Sequence, residues 1–103
     1  MPYGDWINEL PTGFFMLVHI AAFALGAGFA WLAVKRELTL LATGFALYAL
    51  AEITYMTYHL DWTVFLFAHT IAEVLDLVAF VLVFASAVLQ VAPSRKPVYE
   101  SGA

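Results

Sequence analysis

Three apolar runs, Gly13–Val34, Leu38–Tyr58 and Thr63–Val91, dominate the chain. Each is long enough to cross the ~30 Å hydrocarbon core of a bilayer as a helix. Inside them lie His19, Glu52, His69, Glu73 and Asp76. An ionisable side chain at membrane depth costs at least a few kcal/mol, so such residues face a protein interior and mark candidate sites. Only helices or closed barrels satisfy their backbone in lipid, and unbroken runs of this length predict helices. The expected fold is all-α, a three-helix transmembrane bundle running up-down-up. It forms a single integral-membrane domain over 1–103, ending in a polar tail over 93–103.

Composition agrees with that class. Hydrophobic residues make up 64% of the chain and charged ones 12%, against roughly 45–50% and 25% in soluble domains. The net charge of −4 is not a partner signal, because the charges are segregated along the sequence. Lys35–Arg36 and Arg95–Lys96 hold every basic residue, while Asp5, Glu9 and Asp61 flank the other ends of the runs. The positive-inside rule then places the N-terminus outside and the C-terminus in the cytoplasm. Both basic clusters fall on one side only if there are three spans. The first run is no signal peptide by this reading, since acidic residues precede it and it is too long for an h-region. An Ala-, Leu- and Val-rich, lysine-poor composition points to a prokaryotic cell membrane.

Local signals fix the ends. Asp5 is expected to cap a short turn over Trp6–Leu10 that Pro11 closes. Tyr3, Trp6, Trp31 and Trp62 suit the headgroup level. Ala22, Gly26 and Ala30 form a small-residue stripe that lets helices approach closely. Lys35–Glu37 and Leu60–Trp62 are tight turns, which make neighbouring helices antiparallel. Pro93 is expected to end the third helix.

At 100° per residue, His69, Glu73 and Asp76 share one face of the third helix, and Tyr48, Glu52, Tyr55 and His59 share one face of the second. The two stripes should face each other. A rise of about 1.5 Å per residue puts His19, Glu52 and His69 at similar depths, with Glu73 and Asp76 deeper and His59 at the rim. Glu52 is expected opposite Glu73, and as the partner of the Tyr48 and Tyr55 hydroxyls.

Three readings compete for this set. His19, Glu52, His69, Glu73 and Asp76 could hold a divalent transition metal, Zn, Cu, Fe or Mn, because two imidazoles with carboxylates suit those ions and no cysteine is present. His59, Glu52, Glu73 and Asp76 could instead form a proton relay. The third reading is structural: buried polar pairs holding helices together. Three helices cannot easily enclose five such groups, so a homo-oligomer or a larger membrane complex is expected around them, in contact with lipid. A bis-histidine haem on His19 and His69 is disfavoured by the adjoining carboxylates. Ser86 lies far along the helix from His69, no glycine-rich phosphate loop exists, and no basic patch supports nucleic-acid binding. The chain is therefore expected either to bind a metal ion or proton or to act as a purely structural accessory subunit, and not to be catalytic alone.

Overall fold

A computed structural model describes residues 3–91. A 3-10 helix over Asp5–Glu9 precedes three α-helices, α1 over Thr12–Lys35, α2 over Thr39–His59 and α3 over Phe65–Val91. The helix bounds fall within two residues of those read from the sequence. Pro93, the polar tail over 93–103 and the Arg95–Lys96 pair lie outside the described residues. The 3-10 helix starts at Asp5, one residue earlier than expected, after a left-handed Gly4 with φ 89°. Asp5 makes no cap bond. Its Oδ1 accepts a hydrogen bond from Asn8 Nδ2 at 3.1 Å instead.

Both tight turns close in the same way. Leu38 N–H donates to Ala33 O at 2.9 Å and Glu37 N–H to Val34 O at 3.0 Å, while Glu37 adopts φ 60°. Trp62 N–H donates to Thr57 O at 2.9 Å and Asp61 N–H to Tyr58 O at 3.0 Å, with Asp61 at φ 64°. This doubled bonding with a left-handed residue is the Schellman ending, which satisfies carbonyls a helix terminus leaves open. It also folds the chain straight back, so α1, α2 and α3 run alternately up and down. A 3.0 Å bond between the Thr57 and Thr63 hydroxyls ties the second turn to α2.

Helices α1 and α3 each pack on α2, and their backbones stay apart from one another. The seams are built from small residues. Gly26, Ala33, Ala42, Gly44, Ala49, Ala51, Ala68, Ala72, Ala79 and Ser86 are all buried. Without a hydrophobic drive between helices in lipid, close backbone approach of this kind supplies the cohesion. A Cβ on Gly26 would meet the Tyr48 ring at 2.9 Å and Ala49 N at 3.3 Å, and one on Gly44 would meet Val83 Cγ2 at 2.7 Å and Ala79 O at 3.1 Å. Thus Ala49 marks the α1 side of α2 and Gly44 the α3 side. Their positions differ by roughly 140° around the helix. The wedge left between α1 and α3 is where Tyr48 and Glu52 project, roughly 40° and 80° from Gly44.

Elsewhere the surface is apolar all round, with Leu17, Leu25, Phe67, Phe80, Phe84 and Leu89 exposed. Monomeric water-soluble proteins rarely present such a continuous apolar exterior. All three helices are long and apolar enough to cross a membrane.

Candidate functional site

The polar residues gather at the floor of the wedge, in the half of the molecule nearer the α2–α3 turn. His19 lies two turns before Gly26 and so shares its α2-facing side. Its Nδ1 is hydrogen-bonded to Glu52 Oε2. Glu52 is 8% exposed, and with Ser86 it is one of two buried polar residues among those described. A buried carboxylate of this sort is tolerated only when its partner is in place.

The pair does not stand alone. The His19 ring lies nearly parallel to that of Tyr55, with centroids 5.2 Å apart at 17°. Tyr55 then crosses to α3, donating from its hydroxyl to Glu73 Oε1 at 2.9 Å. Toward the turn, His19 neighbours His59 at 5.1 Å, and His59 stacks on Phe15 at 4.9 Å. His69 stacks on Phe65 at 5.1 Å and neighbours Tyr55 at 6.4 Å. The result is one column of rings and carboxyls joining three helices: His59, His19 with Glu52, Tyr55 with Glu73, and His69 alongside.

A cavity lies beyond each end of the column, a polar cleft at one and an apolar groove at the other. Near the α2–α3 turn, a cleft of about 370 Å³ is lined by Asn8, Thr12, Phe15, Tyr58, His59 and Asp61. At the other end a groove of about 480 Å³ runs between α1 and α3, bordered by Asp76 and Tyr48 and otherwise by apolar residues. The Asp76 Oδ1 atom is buried without a hydrogen-bond partner.

Several expectations are thereby sorted. His19 and Glu52 come together, as their matched depths required. Glu73 faces Tyr55 rather than Glu52, because Glu52 is turned toward α1 and its carboxylate is taken by His19. The Tyr55 hydroxyl likewise goes to Glu73, not to Glu52. His59 lies at the rim as expected, lining the cleft, and is half-buried within the ring stack. His19, Glu52, His69, Glu73 and Asp76 do not converge on one point: among the described residues no three His or carboxylate side chains form a metal-ligand group. The Tyr55 ring neighbours both His19 and His69, in the place a haem between them would need.

Two members of the column were not singled out by sequence reasoning for the parts they play. Tyr55 reads there as a packing ring, although its place three residues after Glu52 and one helix face from Glu73 was a usable signal. Phe15, which covers His59, carries no polar atom and gave none. Compared with protein-family models, curated proteins and solved structures, the chain matches nothing. What the column can do follows from its own chemistry.

Proposed function

We propose that this chain is a small multi-pass subunit of a prokaryotic cell membrane whose column binds protons at membrane depth. It would work within a homo-oligomer or a larger membrane complex. The observation that carries the reading is the juxtaposition of two inter-helix hydrogen bonds, His19–Glu52 and Tyr55–Glu73, brought side by side by the stacked rings of His19 and Tyr55. Imidazoles and carboxylates in sequence inside a helical bundle are the usual parts of proton relays. Imidazole can take a proton on one nitrogen and give one from the other, and a tyrosine hydroxyl both donates and accepts. His59, at the cleft, supplies the contact with water.

Away from the cleft the column has no continuation among the described residues. Thr43 donates to Thr39 O in its own helix at 2.9 Å, and Gln90 to Ser86 Oγ at 3.0 Å. A column open at one end fits proton storage or sensing better than conduction across the membrane. By the charge distribution, the open end is the outer one. Glu73 is exposed on α3, and an intramembrane carboxylate left toward lipid is costly, which favours a neighbour over it.

The metal form of the same reading would take the His19–Glu52 pair as two donors, with Zn, Cu, Fe or Mn as the ion. Elemental analysis tests it: a stoichiometric metal that is lost in both His19→Ala and Glu52→Gln would put a cation in the proton's place. The structural reading draws on the fact that both bonds join different helices, and one experiment separates it from proton binding. The ¹⁵N signature of the His19 imidazole should be followed from about pH 5 to 8, where histidine charge changes fall, in wild type and in Glu73→Gln. A proton column predicts that Glu73→Gln moves the His19 transition while leaving thermal stability near wild type. An unmoved transition makes the column a brace only.

A further inference from the structure

We propose that the groove beside Asp76 is a binding site for a lipophilic amine in its cationic form. This does not rest on proton binding by the rest of the column. The groove measures about 480 Å³ and is lined by Leu25, Phe29, Phe45, Tyr48, Asp76 and Phe80 among others. That size lies within the roughly 300–1,000 Å³ of small-molecule sites, which are mostly apolar with a few placed polar groups. Here the placed groups are the Asp76 carboxyl and the Tyr48 hydroxyl.

Length decides against a helix as occupant. Along α3 the groove extends from Asp76 to Val83, roughly 10 Å, whereas a membrane-spanning helix needs about 30 Å. A lipid tail would fit the apolar walls but leave the carboxyl unmatched. The Asp76 carboxyl borders the groove, and its buried Oδ1 lacks a hydrogen-bond partner, so an occupant with a donor that reaches the other carboxyl oxygen gains a bond to a group the chain itself leaves short of partners. Charge sets the class of donor. Of the three carboxylates around the wedge, Glu52 is paired with His19 and Glu73 accepts from neutral Tyr55. Among the described residues lysine and arginine occur only at 35 and 36, at the far end of α1, so no such cation stands beside Asp76 there. Phe29 and Phe45, with ring centroids 5.4 Å apart, and Phe80 add aromatic faces that attract an ammonium group. An amine with an apolar body satisfies the acceptor, the charge and the walls together.

The test uses full-length protein in nanodiscs of neutral phosphatidylcholine, with empty discs to subtract partitioning. The probes are a dansyl-labelled alkylammonium and its uncharged acetamide, compared by fluorescence titration. Wild type should bind the ammonium roughly tenfold more tightly than the acetamide, the size of a desolvated cation–π and ion-pair preference. Asp76→Asn keeps the shape and should bring the two probes level. Leu25→Trp, at a residue exposed on the groove wall, should block both. Equal binding of the two probes to wild type overturns the proposal, as does ammonium binding that survives Leu25→Trp. The His19 imidazole response to Glu73→Gln is a separate reading on separate residues, so either idea can fail without the other.

Discussion

The two halves of the same three helices are held together in different ways. In the half nearer the α2–α3 turn, side chains bond from one helix to the next, His19 to Glu52, Tyr55 to Glu73, and Thr63 back to Thr57. In the half nearer the α1–α2 turn, the polar side chains among the described residues bond only within their own helix, and the seams are Gly, Ala and Ser against backbone. Both solutions meet the same constraint, since lipid solvates an apolar seam as well as another helix does. Contact must come either from close approach or from polar groups that have nowhere else to go. The packed half can be described by shape alone. The bonded half also responds to charge, which is why any proton or cation chemistry belongs there.

The largest break in this comparison should come from Glu52→Ala, which leaves the half-buried His19 without its hydrogen-bond partner. Removing one member of a buried pair costs about 3–5 kcal/mol in proteins generally, and about 3 kcal/mol is expected here in a detergent-unfolding titration. Thr43→Val, in the packed half, should stay within about 0.5 kcal/mol of wild type, since its hydroxyl serves only its own helix. A double-mutant cycle on His19 and Glu52 isolates the pair. A coupling energy near zero would mean that the bonded half is held by packing too.

A smaller effect distinguishes the two seams within the packed half. Gly44→Ala drives a Cβ to 2.7 Å from Val83 Cγ2 and 3.1 Å from the Ala79 carbonyl. A β-branched side chain and a backbone oxygen cannot easily move aside, so α3 must shift, at about 1–2 kcal/mol. Gly26→Ala meets first the Tyr48 ring at 2.9 Å, which can swing into the open groove. It should cost less than half as much by the same titration. Equal losses would show that the α1 seam is as rigid as the α3 seam.

How far all this was legible in the sequence depends on the range of the interaction. Helix number and bounds were readable, because hydrophobic length and turn signals are local. The polar faces were readable as well, because 3.6 residues per turn aligns His69, Glu73 and Asp76 without reference to anything else. Pairing across helices was only half readable. Matched depth brings His19 to Glu52, but depth alone also matched Glu52 to Glu73, and the rotation of α2 between its neighbours decided against it. That rotation is set by Gly44 and Ala49, small residues whose meaning appears only when a partner helix is present. The open groove was not readable at all, since periodicity does not say that α1 and α3 keep their backbones apart.

The smallest expected effect lies in the turns that cap the two halves. Glu37 and Asp61 occupy equivalent left-handed positions, φ 60° and 64°, in turns with the same bonding. That conformation costs an ordinary residue about 1–2 kcal/mol, whereas Asp and Asn visit it more readily by bonding to local backbone. Glycine at either position removes the steric strain but adds freedom to the unfolded chain, which offsets part of the gain. Glu37→Gly should therefore stabilise the protein by about 0.5 kcal/mol, and Asp61→Gly should change it by less. Asp61 also lines the polar cleft, so losing its carboxylate removes a charge from the mouth of the column, while Glu37 sits at the packed end with no part in it. Detergent-unfolding midpoints of the two variants, measured side by side, give the ranking. A larger gain from Asp61→Gly than from Glu37→Gly would mean that the aspartate is strained where it stands, held there for the cleft rather than for the turn.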